Sequence, residues 1–311
     1  MELTLQQIQD VTFGACQVSY QDDAYYFYRF TKRQREVFYC NDPKKEQLDT
    51  TGICLDFHTD ADHVCATIAQ AGKYEILVDN LTVFCEHLEP EQQLCVPLSG
   101  ADNRVTLILP SHTQGAIRSI CLGNAAYIQP HRHKYKLAFY GDSITQGWNS
   151  EKDSQSYAWL TTRFFDAQSV NYGVGGTTFI PQIPESHGFC PEVVVVALGT
   201  NDFGKFKTME QIKADCSDYL QAIKRCYPNS KWLCITPIWR RNGLEPRTAG
   251  TLHDVRLQID AIARAEGFTV IDGLSLVPHR LEYYADNGTH PNDLGFAIFT
   301  SNLLKFITPY V

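Results

Sequence analysis

Residues 193–198 read VVVVAL, an unbroken apolar run of strand length. A strand with one wet face alternates apolar and polar residues. A strand that is apolar at every position has both faces covered, as in a parallel sheet flanked by helices. KLAFY, QSVNY, KWLCITPI and FTVID are four further strand candidates. Helical stretches separate them: SYAWLTTRFFD, TMEQIKADCSDYLQAIKRCY and GTLHDVRLQIDAIARAEG, with NDLGFAIFTSNLLKFI near the end. Strand and helix alternating after Lys136 predict an α/β domain, its parallel five-stranded sheet lying between two helix layers.

The preceding residues have another rhythm. GICLDFHT, YEILVDN, LTVFCEHL, NRVTLILP and AIRSICLG are short strand-like runs at roughly ten-residue spacing, with Asp, Asn, Gly and Pro between them. This predicts an all-β antiparallel sandwich, with a hairpin turning near Asp79–Asn80. Residues 1–50 are less readable; the aromatic stretch YYFYRFTKRQREVFYC joins the sandwich or covers its edge. The polar, basic segment QPHRHKYK separates the two rhythms, so the division is 1–130 for the sandwich and 131–311 for the α/β domain. His131 and His133 have no third ligand close by in sequence, so the segment reads as a solvated linker, and no metal is expected.

Charge excludes some functions. The formal net charge is −8, and residues 1–130 carry all of it, with 9 basic and 17 acidic side chains; the remainder holds 18 of each. No basic stripe exists to meet phosphates, so nucleic acid is not an expected partner. No apolar run approaches the ~20 residues of a membrane helix, so no membrane partner is expected. MELTLQQIQD has neither a basic start nor an apolar core. Eleven cysteines lie scattered without a CxxC pair. Together these predict a cytoplasmic protein whose cysteines are reduced thiols, mostly small core residues. Oligomeric state is not legible.

In parallel sheets, ligands bind at the carboxyl ends of the strands. After the first strand comes Gly141-Asp142-Ser143. A glycine permits a sharp turn, leaving Ser143 either as a nucleophile at the sheet edge or as the N-cap of the next helix. The second strand leads into NYGVGGTTF, whose glycines allow backbone to approach a ligand. The third leads into GTND, where Asn201 either donates its amide to an oxyanion or closes an Asx turn. His290 lies in YYADNGTHPNDLGF, before the last helix. A serine hydroxyl needs a neighbouring base, and a tetrahedral intermediate needs fixed donors. Ser143 and His290 meet the first need. The N–H groups of Ser143 and Gly176, with the Asn201 amide, meet the second.

These residues, in this order, resemble the SGNH hydrolases, also called the GDSL esterase family. Gly141-Asp142-Ser143 matches the nucleophile block, and Gly176, five residues after Asn171, the oxyanion glycine. Gly199-x-Asn201-Asp202 matches the third block, and His290-Pro291 the last. The resemblance covers 136–311 and implies a flavodoxin-like α/β/α fold, ester hydrolysis with short acyl groups, and neither metal nor organic cofactor. A jelly-roll-like sandwich followed by this domain resembles a subset that includes carbohydrate acetyl esterases. That implies a small-molecule or oligosaccharide ester as substrate and a sandwich that contacts carbohydrate. Trp148 and Trp239 are candidate sugar-stacking residues, and Asp142 a further candidate substrate contact.

One position departs from the pattern. Three residues before the histidine, where the family usually has aspartate, stands Asn287, and Asp286 lies one place earlier. Either Asp286 reaches the ring through a shifted backbone, or Asn287 or a carbonyl accepts its hydrogen bond, or the site is impaired. Two competing functions follow: a carbohydrate-binding protein with a degenerate hydrolase domain, and a short-chain lipase or thioesterase on the same fold.

Overall fold

The computed structural model describes residues 1–41, 49–205 and 207–311. Among these, 1–35, 49–133 and 152–154 form one compact unit, and 36–41, 134–151 and 155–311 a second.

The first unit is all-β apart from short helices. Its elements begin with α1 (Leu5–Val11), β1 (Thr12–Phe13), β2 (Gln17–Gln21) and β3 (Ala24–Tyr28), and α2 (Lys32–Asn41) starts in it. There follow β4 (Cys54–Thr59), β5 (His63–Ile68), β6 (Gly72–Val78), β7 (Leu81–Leu88), β8 (Gln93–Pro97), β9 (Asn103–Ile108), β10 (Ala116–Gly123) and β11 (Ile128–Pro130). Two antiparallel sheets result. One has the order β2-β3-β10-β5-β8; the other has β1-β4-β9-β6-β7, with β11 paired to β4. The chain crosses between the sheets at β4–β5, β5–β6, β7–β8, β8–β9 and β9–β10, while β2–β3 and β6–β7 are hairpins within one sheet. Phe27, Val64, Ile117 and Ile120 of one sheet share a core with Leu55, Phe57, Ile76 and Leu107 of the other. The β6–β7 hairpin turns where expected, because Asp79 and Asn80 (φ 49° and 67°) both adopt the left-handed conformation of a tight hairpin turn.

Two expectations fail here. Cys65 and Cys95 face each other across β5 and β8, with Cα atoms 4.1 Å apart, and form a disulfide. The thiols are therefore not all reduced. The spacing conceals the pair because β5 and β8 are not adjacent in sequence, and a structural disulfide persists in an oxidising compartment. The stretch QPHRHKYK is also not a solvated linker. Ile128–Pro130 pairs with β4, and His131 Nδ1 lies 3.0 Å from His58 Nε2. The His133 side chain is only 8% exposed, 3.5 Å from Asp56. That carboxylate is buried and held by the Arg104 guanidinium.

The second unit holds β12 (Tyr135–Gly141), α3 (Ser143–Gln146), α4 (Tyr157–Phe164), β13 (Ala167–Gly173), β14 (Val193–Ala197), α5 (Thr200–Gly204), α6 (Met209–Cys226), β15 (Lys231–Ile235), α7 (Leu252–Ala265), β16 (Thr269–Ile271) and α8 (Asp293–Ile307). The sheet order is β13-β12-β14-β15-β16, and every pair is parallel. This is the flavodoxin-like order, whose switch point lies between the first and third strands, here β12 and β14. Val193 to Val196 are fully buried, as an all-apolar run requires. Thr208 and Thr251 start α6 and α7 with capping boxes, each paired reciprocally with the residue three places on. No helix among the described residues is long and apolar enough to cross a membrane.

Candidate active site

Ser143 stands at the switch point because β12 ends in a glycine. A Cβ on Gly141 would overlap the Thr145 side chain, so only glycine lets α3 fold back against the strand end. Asp142, not Ser143, is the N-cap: its Oδ1 accepts from Ile144 N at 2.9 Å. Ser143 is thereby the first helical residue, with a backbone N–H that has no partner within the helix. Asp142, the candidate substrate contact, is 2% exposed and caps the helix. Burial, with the charge of Asp202 adding to it, pushes its carboxyl up to about 7.

The loop before α8 brings His290 to the serine. Ser143 Oγ lies 2.7 Å from His290 Nε2, and His290 Nδ1 lies 2.5 Å from Asp286 Oδ2. The other Asp286 oxygen accepts from the backbone N–H groups of His290 and Thr289, at 2.6 and 3.1 Å. Asn287 and Gly288 both have positive φ, 24° and 89°. This left-handed pair bulges the loop, so the carboxylate four places before the histidine reaches it and the side chain three places before turns away. Asn287 Oδ1 instead accepts from Arg241 Nη1. Burial raises the Asp286 carboxyl, but the two hydrogen bonds from His290 and its charge outweigh this and hold it below the ordinary aspartate value.

Gly176 and Asn201 follow β13 and β14 in sequence. Gly176 N donates to no protein group among the described residues. Asn201, in α5, is oriented by a bond from Nδ2 to Thr177 O at 3.0 Å, which leaves its second amide hydrogen. Asp202 beside it is fully buried and accepts from Phe179 N and from Lys207 at 3.1 Å, which anchors the GTND turn.

The two tryptophans differ. Trp148 stacks near-parallel on His290 (ring centroids 6.2 Å apart) and remains 41% exposed. Trp239 packs against Tyr284 and lies parallel to the His279 ring, at the wall of a separate cleft. Sequence reasoning missed Gln146, Asn171 and Arg241. Gln146 Oε1 accepts from both Trp148 Nε1 and Gly175 N, tying the indole to the glycine loop. Asn171 Nδ2 donates to Thr145 O, clamping α3 to β13. Neither glutamine nor asparagine carries a sequence signal for such bridging.

The family model described as GDSL-like Lipase/Acylhydrolase matches residues 139–298, just over half of the chain. The chain belongs to the GDSL-like lipase/acylhydrolase family. A comparison with curated protein sequences finds no match. Among solved structures, the fold is similar to a salicylyl-acyltransferase, SsfX3, from a tetracycline biosynthetic pathway. That match has a TM-score of 0.83 and 20% identity over 96% of this chain and 94% of that one. It is also similar to a family two carbohydrate esterase from Cellvibrio japonicus, with a TM-score of 0.69 and 15% identity over 97% of each chain. A family two carbohydrate esterase from Clostridium thermocellum, solved in complex with cellohexaose, matches with a TM-score of 0.62 and 18% identity over 83% and 91%. The parallel sheet with its helices is the acylhydrolase domain of the family, and the antiparallel sheets before it complete the same two-part architecture.

Proposed function

We propose that this acylhydrolase is a serine esterase that removes short acyl groups, acetyl foremost, from hydroxyls of a carbohydrate. The observation that carries the reading is the continuous relay from Ser143 Oγ through His290 to Asp286. His290 Nε2 takes the serine proton as Oγ attacks the ester carbonyl. Asp286 is the positioning residue: it fixes the proton on Nδ1 and stabilises the imidazolium. The N–H groups of Ser143 and Gly176, with the Asn201 amide, receive the oxyanion. Collapse expels the alcohol, protonated by His290, and leaves an acyl-enzyme on Ser143. Water activated by the same histidine then releases the acid. No step calls for a metal or organic cofactor.

Carbohydrate and acetyl specificity rest on the resemblance to carbohydrate esterases and on Trp148, whose exposed ring beside His290 offers a face for a sugar. In the same reading, residues 131–311 are the catalytic domain and residues 1–130 the accessory sandwich that contacts carbohydrate. A complete relay favours catalysis over a degenerate binding domain, because binding alone needs no oriented histidine. The experiment is hydrolysis of 4-nitrophenyl esters of increasing chain length by the parent and by Ser143→Ala. Acetyl should give the highest kcat/KM, and the variant should lose roughly 10³-fold or more. Near-normal turnover by folded Ser143→Ala removes the serine from the mechanism. An optimum at long acyl chains replaces the carbohydrate reading with a lipid one.

A further inference from the structure

The loop after β15 concentrates positive charge beside the site. Arg240, Arg241 and Arg247 lie within eight residues of one another in an acidic chain. None of the three forms an ion pair among the described residues. Arg240 donates from Nε to Asn242 Oδ1 at 2.7 Å and from Nη1 to Thr200 O at 3.3 Å. Arg241 Nη1 donates to Asn287 Oδ1, and Arg247 Nη1 makes a long contact of 3.5 Å with Gly204 O. Nη2 of all three has no protein acceptor among the described residues. Arg240 and Arg247 both lie over the Phe203 ring, 5.9 and 5.0 Å from its centroid. Burial, then the charge of Arg247, lowers the Arg240 pKa, against the pull of Asp142 and Asp286.

The same loop lines a cleft of about 300 Å³, with Trp239, Leu244 and Leu252 as apolar wall and Arg240 and Arg241 as cations. The third arginine lining it is already paired, Arg256 with Asp272. The cleft adjoins the relay. Arg241 N donates to Gly288 O at 3.0 Å in the histidine loop, and Thr200, held by Arg240, precedes Asn201. Three like charges that form no ion pair among the described residues, one of them partly buried and two beside an apolar wall, fit a ligand that supplies an anion.

We propose that this cleft binds an anionic group carried by the ester substrate, a carboxylate, sulfate or phosphate on an apolar or sugar body. Arg240 and Arg241 are its specificity-determining residues, and Arg247 strengthens the field. Turnover of such an ester rests on the esterase reading; binding of the anion does not.

The test has two kinetic arms and one binding measurement. 4-Acetoxybenzoate against its methyl ester places the charge on the alcohol. The 4-methylumbelliferyl half-ester of glutaric acid against its methyl ester places it on the acyl group. In one arm the anionic member should be preferred by about tenfold or more in kcat/KM, carried by KM, as expected for a charge-assisted hydrogen bond. Arg241→Gln with Arg247→Gln, both at exposed positions, should bring that ratio towards one, as should high salt. Binding of 4-hydroxybenzoate and of glutarate to Ser143→Ala is followed by calorimetry, without turnover. Salt-sensitive binding weakened about tenfold by the double arginine change supports the inference even where every ester is inert, an outcome that removes only the esterase reading. Ratios near one in both arms, with no salt-sensitive binding of either anion, overturn it.

Discussion

Asp286→Asn separates charge and proton position from shape. In the parent, Asp286 Oδ1 is committed to two backbone donors, and Oδ2 meets His290 Nδ1. Asparagine offers one oxygen. Facing two backbone N–H groups on one side, that oxygen occupies the Oδ1 position, and the amide NH2 turns to Nδ1. The ring must then accept at Nδ1 and carry its proton on Nε2, 2.7 Å from Ser143 Oγ. A protonated Nε2 cannot take the serine proton, so attack stalls. The comparable change in a serine protease triad costs about 10⁴-fold in kcat, roughly 5.5 kcal/mol of barrier at 1.36 kcal/mol per decade. We expect a loss of about 10³–10⁴-fold in kcat with little change in KM, since no substrate contact is removed. Steady-state hydrolysis of 4-nitrophenyl acetate, with circular dichroism as a fold control, measures it. A folded Asp286→Asn protein that keeps more than about a tenth of parental kcat refutes the tautomer argument.

Asn201→Ala should lower kcat by about 10²–10³-fold with a smaller effect on KM, the usual loss of one oxyanion donor; a large rise in KM at constant kcat assigns Asn201 to substrate binding instead. Asp142 is held near 7 in the folded protein against about 3.9 in an unfolded chain. Its stability contribution is therefore complete below the unfolded value and lost as pH rises through about 7. Asp142→Asn keeps an oxygen for Ile144 N, so it should raise Tm above neutral pH and do much less in mild acid; an equal gain at both extremes contradicts the burial argument. Replacing Cys65 and Cys95 by alanine should cost up to roughly 3–4 kcal/mol in denaturant unfolding, from a loop of about 30 residues. If reductant leaves the parent's unfolding midpoint unchanged, the pair is not bridged.

The legible parts of this protein are those in which local pattern and tertiary role coincide. VVVVAL declares a doubly covered strand without reference to any other segment, and α3, α4, α6, α7 and α8 carry their own capping residues. In the first unit β4, β6, β7, β9 and β10 were readable. β5 and β8 were not, although both alternate in burial, because the outward-facing Cys65 and Cys95 interrupt the polar positions in HVCATI and QLCVP. Ser143, Gly176, Asn201 and His290 were legible as a set, since the order of their loops follows the order of the strands.

What sequence alone determines is the alternation of strand and helix, the division into two rhythms and the loops that face the carboxyl edge of one sheet. These follow from burial periodicity and turn chemistry, which act over a few residues. The tertiary structure decides which atoms meet. Positive φ at Asn287 and Gly288 hands the histidine to Asp286. Sheet register pairs Cys65 with Cys95. The path of β12 into α3 makes Asp142 a buried cap, and a loop 97 residues beyond Ser143 carries Arg240 to the edge of the site. Each of these depends on the direction of a side chain at ångström scale, which backbone conformation sets and residue spacing does not encode.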